Sequence, residues 1–105
     1  MAEATTITEK MRNAIRISSK AEPITEEIND CIAACKKDLQ QVGVVNVSDS
    51  DALIVRAITL YCKAEFGFSD KAVQFRASYD ALKGALSMMQ EYNTMEPAEE
   101  TQEGA

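Results

Sequence analysis

Residues 23–42 read PITEEINDCIAACKKDLQQV, and their spacing sets the architecture. Ile24, Ile28, Cys31, Ile32, Cys35, Leu39 and Val42 recur at intervals of three and four, which places them on one face of a helix. Pro23 suits a first helical turn. Glu26, Glu27 and Asp30 near the start and Lys36 and Lys37 further on complement the helix dipole. Gly43 offers the stop, since glycine takes the left-handed conformation that ends many helices. A helix over Pro23–Val42 follows, with one side that must be covered.

The same period recurs downstream. Residues 51–66, DALIVRAITLYCKAEF, are apolar on more than one side, so this helix is expected to be central or covered by a partner. Ser48, Asp49 and Ser50 precede it as cap candidates. Gly67 is expected to end it, with Phe68 folding back on its last turn. A fourth helix is expected over Lys71–Asn93, capped by Ser69 or Asp70. Its stripe is Ala72, Phe75, Tyr79, Leu82, Leu86 and Met89. Upstream, Thr8 is the expected cap of a short helix reaching Ile17, with Met11, Ala14 and Ile15 on its apolar side. Ten residues do not hold a helix alone in water, so this one must dock. Residues 18–23 break the pattern.

These segments give an all-α fold: a small bundle of about four helices with a disordered acidic C-terminal tail. A helical domain over residues 1–93 is followed by a tail over 94–105. Between the second and third helices lies Val44-Val45-Asn46-Val47. Three β-branched residues beside a glycine are poor helix material. They read as a loop whose valines cover the core, or as an edge that pairs with a neighbouring subunit.

The 105 residues carry a net charge of −6. Glu96, Glu99, Glu100 and Glu103 supply −4 of it in a tail without bases, leaving 13 acids and 11 bases in residues 1–93. Such a body lacks the basic footprint that binding to bare nucleic acid requires. It would repel phosphate, as the wall of a DNA path can. The first 20 residues hold no continuous apolar stretch, so no secretory signal is expected. No run approaches the ~20 apolar residues of a membrane span.

Chemistry has little to work with. The sequence contains no His, which removes the commonest general base and metal ligand. Gly43, Gly67, Gly84 and Gly104 are isolated, so no phosphate-binding loop is formed. Cys31-x-x-x-Cys35, with Cys62 on the next helix, would offer three thiols to zinc or to a redox pair. Both cysteines fall in the apolar stripe, and buried packing is the expected role. The carboxylates of Glu26 and Asp30, or Glu99 and Glu100, read as solvated. Met89 reads as core and Met88 as half-exposed. No catalytic residue, cofactor or metal is expected.

The segment Ala57-Ile58-Thr59-Leu60-Tyr61-Cys62-Lys63-Ala64-Glu65-Phe66-Gly67-Phe68 resembles a signature of the phage head–tail connector family, also described as DNA-packaging or head-completion proteins. Phe75-Arg76-Ala77-Ser78-Tyr79-Asp80-Ala81-Leu82-Lys83, with Leu86, resembles a second stretch of that family. Lys10-Met11-Arg12-Asn13-Ala14-Ile15-Arg16-Ile17-Ser18 resembles its opening helix, and Ile24, Glu27, Ile28 and Ile32 its second. The likeness covers about residues 7–93. Cys31 and Cys35 depart from it, standing where aliphatic or small residues are expected.

The resemblance implies a non-enzymatic virion protein at the head–tail junction, made in the host cytoplasm. It implies a ring homo-oligomer, dodecameric in the virion, below the portal protein. The ring would extend the DNA channel, pass genomic DNA without sequence-specific binding, and offer a platform to a stopper or tail-completion protein. No membrane partner is implied. Leu60, Tyr61, Phe66, Gly67, Phe75, Tyr79, Leu82 and Leu86 would form the signature core. Val44, Val45, Val47, Met95, Glu96, Pro97, Glu99 and Glu100 would be candidates for contact with the portal or a neighbouring subunit. Two competing readings are a helix-turn-helix regulator turning at Gly67-Phe68-Ser69-Asp70, and another phage structural adaptor. The regulator would have only Lys71, Arg76 and Lys83 on its reading helix, opposed by Asp80 and Glu91.

Overall fold

The side-chain oxygen of Thr6 accepts the Glu9 amide at 3.1 Å and so starts the first helix, α1, Ile7–Ala14. Thr8, the expected cap, lies inside that helix. The computed structural model describes residues 6–66 and 71–93. Gly67, Phe68, the Ser69 or Asp70 cap and the whole tail over 94–105 lie outside the described residues. The helix α1 also ends before Ile17. Arg16 takes a left-handed φ of 61°, and the Ile17 amide reaches back to the Arg12 carbonyl at 3.0 Å. That closing pattern stops a helix even without glycine.

The second helix, α2, spans Glu22–Gln41 with Pro23 in its first turn. Gly43 ends it as expected. Its φ is 93°, and the Val44 amide returns to the Leu39 carbonyl at 3.0 Å. The third, α3, spans Ala52–Glu65, and its cap is Asp51, whose Oδ1 accepts the amides of Leu53 and Ile54 at 2.9 and 3.2 Å. The three residues expected to cap it are used otherwise. Ser48 and Ser50 bond each other at 2.9 Å, and Asp49 pairs with Lys36.

The expected fourth helix is divided. Its main part, α4, covers Ala72–Ser87, and a single turn, α5, covers Gln90–Asn93. Ser87 Oγ donates to the Gly84 carbonyl at 2.7 Å, and the Asn93 side-chain amide donates to the Ser87 carbonyl. Both side chains compete with the backbone ladder at this point.

The helices α2, α3 and α4 pack in turn, with α1 laid across α2 and α3. No strand occurs among the described residues. Ile28, Ile32, Cys35 and Leu39 of α2 join Ile54, Ala57, Ile58 and Cys62 of α3, and Tyr79 and Leu86 of α4 close the core. Met11 and Ile15 seal it from the α1 side. Burying these side chains is the main favourable term in the fold, at roughly 1.5–3 kcal/mol for each large aliphatic group.

Of the two readings of the third helix, central or covered by a partner, the first holds. The apolar faces of α3 are covered by α1, α2 and α4 of the same chain. Among its large apolar residues only Leu53, at its start, stays open, at 36% exposure. The most exposed large apolar residues are on α4 and just past its end. Val73 is 79% and Met88 87% exposed, with Ala77, Ala81 and Ala85 exposed between them. Met88 is thus far more open than its half-exposed reading, because the break after Ser87 turns it outward.

Candidate functional site

Residues of the signature segments build a polar hub where α2, α3 and α4 meet. Tyr79 is fully buried on α4, and its hydroxyl donates to Asp38 of α2 at 2.6 Å. Lys83, one turn along α4, reaches the same carboxylate oxygen at 3.1 Å. The Cys35 thiol donates to the Tyr79 oxygen at 3.9 Å. Tyr61 of α3 meets the Tyr79 ring edge-on, with centroids 5.1 Å apart. The Arg76 guanidinium lies 5.3 Å from the Tyr61 ring and pairs with Glu65 at 3.1 Å.

The electrostatics follow from this geometry. Burial pushes the Tyr79 hydroxyl well above the ordinary phenol range, and its bond to Asp38 adds to the shift. Burial alone would raise Asp38. The hydrogen bonds from Tyr79 and Lys83 and the nearby cations outweigh it and hold the carboxyl below its usual value. Burial pushes Cys35 up to about 12, so it is an inert thiol. None of these groups is poised for acid–base work near neutral pH. The hub is a fastening for three helices.

A second cluster joins the loop after α2, the start of α3 and the turn α5. The amides of Val45 and Asn46 donate to the Tyr92 carbonyl at 2.8 and 3.0 Å, and the Asn46 side chain reaches the Glu91 carbonyl at 2.7 Å. Tyr92 is buried, and its hydroxyl donates to Asp51 at 2.9 Å. The loop over 44–47 therefore covers the core, with the amides of Val45 and Asn46 bonded to its own chain. Val44 is fully buried there, while Val45 and Val47 are half-buried. A Cβ on Gly43 would come within 3.9 Å of Asn93, so the residue leading into 94–105 sits beside this loop. Met95, Glu96, Pro97, Glu99 and Glu100 lie outside the described residues.

Of the signature core, Leu60, Tyr79 and Leu86 are buried, and Tyr61, Phe66, Phe75 and Leu82 are half-buried. Gly67 lies outside the described residues. Glu26 and Asp30 are exposed, as read. Sequence reasoning missed Arg12. It is 4% exposed, and its guanidinium donates to the Ser19 carbonyl at 3.0 Å and to Thr25 at 3.2 Å. It ties α1 to the segment entering α2. Its charge hid its burial. Thr6 and Glu9, three apart, do form the sequence pattern of a helix start that would have placed the first cap.

Between α2 and α3, Glu27, Asp30, Cys31, Ala34, Tyr61, Glu65 and Phe66 line an open depression of about 370 Å³. Cys31 is half-buried in its wall, and Cys62 of α3 is buried. Among the described residues, no three His, Cys, Asp or Glu side chains gather as a metal site. No helix among them is long and apolar enough to cross a membrane.

The family model described as phage connector protein matches residues 7–93. That is the span over which the quoted segments carry their likeness, and it includes both clusters. No curated protein and no solved structure matches the chain. With four principal helices fastened by the signature residues and a match across all of them, the chain belongs to the phage connector protein family and serves as a structural connector.

Proposed function

We propose that the chain is the head–tail connector subunit of a long-tailed phage, forming a ring homo-oligomer under the portal protein, dodecameric in the virion. The ring extends the DNA channel and gives the stopper or tail-completion protein its platform. It acts in the virion at the head–tail junction, after synthesis in the host cytoplasm, and it performs no catalysis. The family match over residues 7–93 carries this reading.

Two features of the molecule support it. The outer face of α4 exposes Val73, Ala77, Ala81 and Ala85, with Met88 just past its end, beside the exposed polar residues Gln74 and Asp80. Such a face is suited to a neighbouring subunit, and a closed ring gives every subunit two neighbours. Residues 1–93 carry a net charge of only −2, from 11 bases and 13 acids, which suits a channel wall that DNA passes without being gripped. Val45, Val47 and the segment holding Met95, Glu96, Pro97, Glu99 and Glu100 are the proposed portal contacts. Asn93, the last described residue, lies beside Gly43 at the start of the loop.

The regulator reading gains nothing comparable. Arg76 is spent on Tyr61 and Glu65 and Lys83 on Asp38, leaving little of the basic surface that duplex binding demands. The test is negative-stain imaging of the purified protein with and without its portal. Rings, or density added to the portal, are expected. Portal complexes that stay bare under all assembly conditions would sink the proposal.

A further inference from the structure

We infer that successive copies of the chain join head to tail through opposite charges, with Arg16 at the end of α1 seated in the acidic α2–α3 depression of the next copy. This rests on the ring reading above and names the two surfaces that meet. The charges are sorted along the sequence. Residues 6–21 hold four bases and one acid, and residues 22–34 hold four acids and no base. The two sets adjoin in the chain, yet the fold keeps them apart. Lys10, Arg16 and Lys20 are exposed, as are Glu26, Glu27 and Asp30, and none of them forms an ion pair with a described residue.

Helix packing explains the separation. The Thr8 hydroxyl donates to Asn29, and Arg12 donates to Thr25, so α1 lies along the flank of α2 that carries those two residues. At about 3.6 residues per turn, Glu27 and Ala34 stand on the opposite flank, and both line the depression. Bases on one flank and acids on the other do not meet within one molecule. They meet between two, through different surfaces of the same chain, and a contact of that kind builds a ring when its rotation closes. Apolar area on α4 gives the contact no direction, whereas sorted charges fix its register.

Arg16 is the base placed to cross. Its φ of 61° is a conformation that glycine or asparagine takes with less strain. Closing α1 asks nothing of the side chain, which is exposed and bonded to no described residue. The depression suits a guanidinium. Tyr61 and Phe66 supply aromatic walls, and Glu27 and Asp30 supply unpaired carboxylates, around a volume of about 370 Å³. The same chemistry already operates inside the chain, where Arg76 lies 5.3 Å from the Tyr61 ring and pairs with Glu65. Glu27 and Asp30 are left for the incoming base.

The test is charge reversal in the full chain, read by sedimentation and negative-stain imaging of the protein alone and with its portal. R16E, and separately E27K/D30K, should weaken association between copies by roughly tenfold or more. Circular dichroism should stay that of the parent, because all three positions are exposed. R16N, which relieves the backbone, should melt no lower than the parent and still associate less well. R16E/E27K/D30K should recover association, and so should an equimolar mixture of R16E with E27K/D30K, in which the two kinds of copy alternate. Added salt should weaken association of the parent. Parent rings that R16E and E27K/D30K leave intact, or defects that neither the combined variant nor the mixture repairs, would overturn the inference and leave the ring reading standing. A parent chain that forms no assembly even on the portal would overturn both.

Discussion

The hydroxyl of Tyr92 donates to the carboxylate of Asp51 at 2.9 Å, across 41 residues, and the same carboxylate caps α3. One side chain thus serves a helix start and holds α5 against it. Y92F should lower stability by about 1 kcal/mol, the usual net value of one such bond. D51A should cost about 2–3 kcal/mol, since it removes the cap and strands the phenol together. Urea denaturation of the two single variants and the double variant would expose the coupling as a shortfall from additivity.

Alkali should probe the same contact. Burial, with the bond to Asp51, pushes Tyr92 up to about 12, against an unfolded value near 10. A raised pKa means stability present below pH ~10 and lost as pH climbs through the folded value. Cys35, also raised to about 12, begins the decline from about pH 9. Stability curves of the parent and Y92F should therefore run parallel to pH ~10 and converge between there and about pH 12. Parallel curves throughout would contradict the assignment.

Acid should act through Asp38. Its pKa is held below the usual carboxylate value, so its contribution is present above pH ~4 and lost as pH falls through the folded value. D38A should lower stability at neutral pH by about 1–3 kcal/mol, because Tyr79 loses its acceptor and Lys83 its counter-ion. The gap between parent and variant should narrow on acidification below pH ~4.

Leu60 lies inside the bundle at 8% exposure. Leu60→Asp should abolish folding, because an unpaired carboxylate there costs several kcal/mol, on the order of the whole stability of a small domain. Circular dichroism at neutral pH is the measurement. A cooperative native transition would refute the burial of this position.

Gly43 ends α2 with a φ of 93°, where any Cβ is strained. The nearest outside atom, in Asn93, would stand at an ordinary 3.9 Å, so the penalty is conformational and not a clash. Gly43→Ala should cost about 1–2 kcal/mol, and Gly43→Asn less, since asparagine tolerates the left-handed region better. Thermal melts of the two variants would rank them.

Helix number, order and inward faces were legible because spacings of three and four survive in each segment. Ile28, Ile32 and Leu39 announce the buried side of α2 without help from any other part of the chain. Gly43 was equally plain, since one residue type answers one backbone demand. Boundaries set by local side-chain competition were less so. Arg16 closes α1 in a conformation its type rarely takes, and Asp51 displaced three equally good caps beside it. The break after Ser87 has neither proline nor glycine at it. The turn that follows is held by Asp51 and by the loop amides of residues 45 and 46, partners remote in sequence. The burial of Arg12 is a product of packing between helices, which no single-helix pattern contains.

Because α4 turns Val73, Ala77, Ala81 and Met88 away from every other helix, folding places almost no demand on their identity beyond helix propensity. Among related chains such positions would drift freely if solvent were their only neighbour. Any selective restraint that keeps them small and oily must therefore be imposed from outside the polypeptide, and a deep comparison of natural variants would reveal it as invariance where stability asks for none.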